Sequence, residues 1–444
     1  MTTQIFQVST LYGTATLAAA IDADCFPPAD RRILLVCNNA ATPETTPAVD
    51  GMPGFDRLRG RFDEVVSWNE TFFPFHPGGW APRAEDLPLW ERYLRLAWRI
   101  GDDDVQVAVE SIQVNPALGV TQMFTGAPVT VYADGLMSYG PTRNKIDPLV
   151  GSRIDRLLHL DLVPGLVPLL LTEFGVEPEI VPTDAFVKTL AELSDTADGL
   201  PLVEAPALLL GQYLSALNIL TVEQEEDLHV RMLEGALALG HRTVVFKPHP
   251  TAPARYSRTL EERAEALGVD LTVLDTPVLA EVLYQRMRPA LVVGCFSTAL
   301  LTASALYGLP VARVGTDVLL DRLSPFENSN RVPVTVVDAL LPDLADAAAV
   351  TARRPGMPTP DLAALVRTVG FAMQPRVLHR LRPEAVAYLT ARLNDHTLRY
   401  FKRKRLTSLG LPGGIPAQLS FLPRSATARR VVRRARALRK AVGR

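Results

Sequence analysis

The residues Thr243-Val244-Val245-Phe246-Lys247-Pro248-His249-Pro250 begin a segment that continues to Gly315 and alternates short apolar runs with helical stretches. Thr243 to Phe246 is β-branched and apolar, the composition of a parallel strand buried on both faces. The two prolines stop that strand and stiffen the turn, which fixes the directions of Lys247 and His249. A helix is predicted over Tyr256 to Leu267, ended by Gly268. Leu271 to Leu274 reads as the next strand, and Pro277 opens a helix carrying Glu281. Leu291-Val292-Val293 reads as another buried strand, ending in Gly294-Cys295-Phe296-Ser297-Thr298. A helix over Ala299 to Tyr307 follows, ended by Gly308, and Val311 to Val314 returns as a strand.

Ser297 and Thr298 fall where a helix begins, a place that offers unpaired N–H groups, a positive dipole end and two hydroxyls. Ligands of open α/β sheets gather at the C-terminal strand ends. Lys247, His249, Glu281, Ser297 and Thr298 converge there in this reading. A cation, an imidazole, a carboxylate and a hydroxyl pair suit a nucleoside monophosphate, with the carboxylate on ribose and the rest on phosphate. Taken singly, each has a plainer reading: an N-cap, a turn histidine, a solvated glutamate.

Outward from this segment the pattern repeats. Ile5 to Ser9, Arg32 to Val36, Asp63 to Trp68, Val105 to Val109 and Val129 to Tyr132 read as strands. They alternate with helical stretches such as Leu89 to Ile100 and Pro116 to Phe124, so a doubly wound sheet is predicted here too. Asp134-Gly135 follows the Val129–Tyr132 strand, again at a C-terminal end. The loop Ser9 to Thr14 occupies the same kind of place, either meeting an acceptor or only joining two elements. Thr71 to Trp80 is rich in Phe, Pro and Gly and cannot be a regular helix. A packed irregular loop is the preferred reading; a loop that stacks on an acceptor sugar is the other.

Lys-Pro-His-Pro at 247–250, Pro277-x-x-x-Glu281 and Ser297-Thr298 after a Val-Val-Gly strand resemble the motifs of the bacterial GT-B sialyltransferases, in particular the alpha-2,8-polysialyltransferase-like group. That group also carries an acidic-acidic-Gly motif in its N-terminal domain. Here the matching stretch is Ala133-Asp134-Gly135, extended by Ser138-Tyr139-Gly140-Pro141-Thr142-Arg143. Ala133 departs from the first acidic position and Asp134 keeps the second. The resemblance spans roughly residues 1 to 400. It implies two Rossmann-like domains facing a cleft, with 1–190 on the acceptor side and 200–380 binding the donor. It also implies inverting, metal-independent transfer of sialic acid, or a related nonulosonic acid, from a CMP-sugar to a cell-surface glycan or glycolipid. On this pattern Asp134 is the catalytic base. His249 assists the leaving group, and Lys247, Glu281, Ser297 and Thr298 hold the nucleotide. Ser9, Thr10 and Arg143 are placed beside the acceptor; Arg143 and Lys145 either meet an anionic acceptor or are solvated. A CDP-glycerol-type glycerophosphotransferase and a non-catalytic nucleotide-binding protein at the membrane are the rival readings.

Length and composition fit a two- or three-domain globular protein. Cys25, Cys37 and Cys295 form no metal or disulfide pattern; a sparse, odd count suits a reducing cytoplasm. There is no run of about 20 apolar residues to cross a membrane, and no basic segment precedes an apolar run at Met1. An interdomain linker is predicted over Glu179 to Pro201, a last strand over Val334 to Val337, a variable loop around Ala347 to Pro360, and closing helices over Ala363 to Met373 and Pro383 to Leu398, so that 381–400 closes the body. The net charge of −2 conceals an asymmetry. Residues 401–444 carry 13 of the 46 basic residues and none of the 48 acidic ones, leaving 33 against 48 in the body. A helix from Ser425 would place Val431, Val432, Ala435, Leu438 and Val442 on one face and arginines around it. Residues 425–444 are therefore expected to meet an anionic membrane surface rather than nucleic acid, with the enzyme otherwise cytoplasmic.

Overall fold

The computed structural model describes residues 1–195, 200–201, 203–249, 252, 257–274, 276–353 and 356–415. Among these residues, twelve strands form two all-parallel sheets. The first holds β1 (Thr2–Val8), β2 (Arg31–Val36), β3 (Glu64–Ser67), β4 (Asp104–Glu110), β5 (Val129–Ala133), β6 (Ile154–His159) and β7 (Pro178–Ile180), in the order β3-β2-β1-β4-β5-β6-β7. The second holds β8 (Ala207–Leu210), β9 (Thr243–Lys247), β10 (Asp270–Val273), β11 (Leu291–Gly294) and β12 (Val311–Arg313), in the order β10-β9-β8-β11-β12. Both orders reverse direction within the sheet, at β1/β4 and at β8/β11. Those are the switch points where loops part and a ligand crevice opens. Two doubly wound α/β domains facing one another is the GT-B architecture expected from the sequence.

The strands carry the period-2 alternation of a sheet covered on both faces. Ile5, Ile33, Leu35, Val107, Val129, Val131 and Ala133 pack into one apolar cluster. Phe6, Val8, Leu34, Val36, Ala108 and Tyr132 pack into the other, which runs on into the second domain. Cys25, Cys37 and Cys295 are free and buried in these cores.

Several expectations need correction. Val334 to Val337 is not a strand but part of the helix Arg331–Leu340. Tertiary packing overrides the β-branched preference here, for Val332 to Asp338 are all buried. The Arg331 side chain beneath the helix start donates to the Phe326 and Leu323 carbonyls. The stretch expected as linker holds the end of β7 and the helix Thr183–Ser194. That helix buries Phe186, Leu190 and Leu193 and packs on both the helix Leu11–Asp22 and the helix Ala280–Met287, one from each domain. Ala347 to Thr351 is a helix rather than a loop, capped by the Asp346 carboxylate accepting from Ala349 N at 2.9 Å. The helix carrying Glu281 begins at Ala280, not Pro277.

The helix Thr359–Met373 reaches back across the first domain. A Cβ on its Gly370 would stand 2.6 Å from Leu169 Cδ1, and the nearby Gln374 amide donates to the Arg143 carbonyl at 3.3 Å. The start of the basic 401–444 segment, with Lys402 to Arg405, is not a free tail. Phe401 and Leu406 are buried, and Arg405 donates to the Ala372 and Met373 carbonyls. Tyr400 donates to the buried Asp338 carboxylate at 2.8 Å, which also pairs with Arg313 and Arg399. Thus 401–415 folds onto the body. The basic helix expected over 425–444 lies outside the described residues. Among those residues, no helix is long and apolar enough to cross a membrane.

Candidate functional site

The C-terminal ends of the two sheets face each other, and the expected site residues sit on both sides. On the second domain, Ser297 caps the helix Thr298–Ala305, its hydroxyl accepting from Ala299 N at 3.3 Å. Both residues are half-buried. Thr298 Oγ1 accepts a 3.4 Å hydrogen bond from the backbone N–H of Leu136, on the first domain. A Cβ on Gly135 would lie 3.3 Å from the same oxygen. The Asp134 loop and the Ser-Thr helix start are therefore in direct contact, as the parallel strand ends of β5 and β11 meet.

Asp134 is half-buried just beyond β5. Burial, and then the Glu110 carboxylate, push its carboxyl up from 3.8 to about 7. Glu110 ends β4 and pairs in register with Tyr132. Side chains at paired positions of parallel strands share a face, so Glu110, Tyr132 and, two residues on, Asp134 lie together. Glu110 itself accepts a 2.5 Å hydrogen bond from the Ser9 hydroxyl, and burial raises its carboxyl too. Tyr132, buried against this pair, donates to the Gln7 carbonyl at 3.0 Å. Ala133 points the other way, into the apolar cluster of the opposite face. Just past Glu110, Ser111 and Ile112 hold φ of 55° and 49°. Left-handed backbone at a β-branched residue is strained, and such strain gathers at functional sites.

Lys247 closes β9 and His249 follows it, exposed by surface area. Burial of its amine lowers the Lys247 pKa while Glu281 opposes the shift. Burial and then the Lys247 charge lower that of His249. Across the gap lie Thr46, Pro47 and Met52 of the first domain, and a cavity of about 690 Å³ opens between these residues and Lys247, Pro248 and His249. Glu281 is only 3% exposed, and its Oε1 accepts from the Thr302 hydroxyl at 2.6 Å. Burial raises its carboxyl, partly offset by Thr302 and Lys247.

Of the expected acceptor-side residues, Ser9 joins Glu110, and Thr10 caps the helix Leu11–Asp22 through Gly13 N. Arg143 is held by its backbone, N–H to Gln113 Oε1 at 2.8 Å and carbonyl to Gln374. Its half-buried guanidinium has no ion-pair partner among the described residues, and burial lowers its pKa. Two residues were missed. Glu110 was legible in principle, as a carboxylate at the C-terminal end of a central strand. Tyr12 was not: it is an ordinary helix residue whose buried hydroxyl lacks a hydrogen-bond partner among the described residues, close enough to Glu281 and Asp134 for both to raise its pKa. No three His, Cys, Asp or Glu side chains gather into a metal-binding group among the described residues.

The family model described as Alpha-2,8-polysialyltransferase (POLYST) matches residues 4–316, a span that contains every site residue expected from the sequence and all of β2 to β12. The chain belongs to the alpha-2,8-polysialyltransferase (POLYST) family. It is a glycosyltransferase. The POLYST match stops before the helix Arg331–Leu340, so the C-terminal helices that clamp the two domains lie beyond it. No curated protein sequence matches this POLYST chain. Solved structures similar to it include the GT-B domain of a sialyltransferase from Photobacterium damselae, at 12% identity and TM-score 0.38, covering 75% of this chain and 95% of that one. MurG from Acinetobacter baumannii is similar at 11% identity and TM-score 0.41, over 86% and 94% of the two chains. UDP-GlcNAc 2-epimerase from Methanocaldococcus jannaschii is similar at 12% identity and TM-score 0.46, over 79% and 91%.

Proposed function

We propose that this POLYST protein transfers sialic acid, or a related nonulosonic acid, from a CMP-sugar to a glycan hydroxyl, with inversion and without a metal. The observation that carries the proposal is Asp134, a carboxyl raised to about 7 at the point where the two domains touch. A general base works best when its pKa lies near the working pH. Asp134 takes the acceptor proton as the acceptor oxygen bonds to the anomeric carbon. The bond from that carbon to the CMP phosphate oxygen breaks, and the electron pair leaves with CMP. Ser297, Thr298 and the helix N-terminus behind them receive the phosphate charge. Lys247 adds a cation. His249, held below its ordinary pKa by burial and then by the Lys247 charge, donates a hydrogen bond and gains a proton more readily once the phosphate is beside it. Glu281 and Tyr12 line the donor side, where the ribose hydroxyls are to be met.

Glu110 completes the base. The family pattern has two adjacent carboxylates, and Ala133 removes one. Glu110 supplies a second carboxylate on Asp134's own face, from the neighbouring strand, and Ser9 holds it. A single CMP phosphate is neutralised by a cation, hydroxyls and N–H groups, so the proposal needs no metal ion. The experiment is transfer from CMP-sialic acid by the wild type and by Asp134→Asn, in chelator, with CMP binding measured on both. Transfer that survives the substitution refutes the base assignment.

The arginine-rich stretch 425–444 is proposed to hold the enzyme at an anionic membrane surface, each basic residue contributing roughly 1 kcal/mol near the surface. Cosedimentation with anionic but not neutral vesicles, lost on truncation after residue 415, tests this.

A further inference from the structure

The order of the first sheet lays out a path. From Asp134 at the end of β5, the C-terminal edge passes β4 with Glu110, then β1 with Ser9 and Thr10, then β2, then β3. At about 4.8 Å per strand, β2 lies roughly 14 Å from β5. A groove of about 630 Å³ opens there, among Asn38, Glu44, Asn69, Glu70, Phe73 and Phe75. It adjoins the cleft cavity, for Thr46 lines both.

The groove is rigidly built. Asn38 N donates to Asn69 Oδ1 at 2.8 Å, and Asn69 Nδ2 returns a bond to the Asn38 carbonyl at 3.1 Å. Asn38 Nδ2 also donates to the Thr46 carbonyl at 2.8 Å, tying down the loop between the two cavities. The His76 ring bonds the Ala40 carbonyl at 2.9 Å. Phe75 stacks near-parallel on Trp80, which packs on Phe72 and Trp90. Upon this base Phe73 is 79% exposed and Phe75 50% exposed. Two aromatic rings held toward water beside side-chain amides and carboxylates suit a ligand with apolar C–H faces and many hydroxyls. That is a pyranose.

Charge narrows the class. Glu44 and Glu70 have no ion-pair partner among the described residues, and no lysine or arginine lines the groove. A sialic acid polymer would set its carboxylates against these two, and like charges at close range repel. We propose that this groove is a distal acceptor subsite for a neutral hexose-type sugar. The acceptor is then a neutral oligosaccharide lying along the sheet edge, its terminal hydroxyl at Asp134 and an interior sugar on Phe73 and Phe75. This rests on the reading of Asp134 as the base, and it makes a neutral glycan a better acceptor than an oligosialic chain.

Two measurements test it, the first separately from that reading. The first is a tryptophan fluorescence titration, without donor, with lacto-N-neotetraose as the neutral probe and α-2,8-linked sialic acid trimer as the anionic one. A saturable change with the neutral probe, absent with the trimer and lost in Phe73→Ala/Phe75→Ala, is expected. No saturable change, or tighter binding of the trimer, overturns the proposal whatever the donor proves to be. The second is transfer kinetics. The neutral tetrasaccharide should show a KM about tenfold below that of lactose. The double variant should erase that advantage and leave kcat with lactose, and donor hydrolysis, unchanged. Both rings are exposed, so their loss should not unfold the chain, and Glu44→Lys/Glu70→Lys should move the preference toward the trimer. Retention of the tetrasaccharide advantage in the double variant overturns the subsite.

Discussion

Thr298 Oγ1 accepts a 3.4 Å hydrogen bond from Leu136 N–H, so the helix start of one domain touches the loop of the other that carries Asp134. This contact sets the proposed phosphate end beside the proposed base. Thr298→Val keeps the size and removes the hydroxyl. It should lower kcat/KM by about 10²-fold, chiefly through kcat, while the thermal midpoint stays near that of the wild type. An unchanged kcat/KM would show that the hydroxyl serves only the domain contact.

The Asp134 carboxyl stands at about 7 because of burial and then Glu110. The titratable groups around it are Glu110, Tyr132, Tyr12 and, beside Glu110, Cys37. The proposed base acts deprotonated, so transfer should rise with pH through about 7. Glu110→Gln removes a like charge and lowers the Asp134 pKa, so the acid limb should move to lower pH. A pH–rate profile with an unmoved limb would separate Glu110 from the base.

The same shift bears on stability. The folded carboxyl binds its proton more tightly than the unfolded one, whose value is near 3.8. Its contribution is therefore fully present below about pH 4 and is lost as pH rises through about 7. Asp134→Asn should consequently raise the thermal midpoint at pH 8 and confer no such gain at pH 4. Midpoints that differ equally at both pH values would contradict the buried, raised carboxyl.

Removal of metal is a further test. The proposed leaving group carries one phosphate, met by Lys247, His249, Ser297 and Thr298. Excess EDTA should leave the transfer rate unchanged, and added magnesium should not raise it. A rate that collapses in chelator and returns with magnesium would call for a different donor chemistry.

Part of this candidate site follows from local sequence pattern. Short β-branched runs bounded by Pro and Gly marked β9 and β11, and parallel strands put Lys247, His249, Ser297 and Thr298 at one edge. Other parts are set by long-range packing. Val334 to Val337 has the composition of a strand, yet it is helical because every side of it is buried and Arg331 anchors its start. Lys402 to Arg405 looks like free basic chain, but Arg405 finds the open carbonyls at the end of the helix Thr359–Met373. Glu110 sits in plain sight at a strand end. Its partnership with Asp134 depends on which strands are neighbours, and local pattern does not carry that.

The most direct measurement is calorimetric titration of CMP, UMP and ADP into the purified protein, without metal and then with magnesium, repeated on His249→Ala. Metal-independent binding that prefers CMP, and is lost in the variant, is the predicted result. Preference for UMP or ADP, or no binding of any of the three, would contradict a CMP-sugar donor and leave only the fold and the family in place.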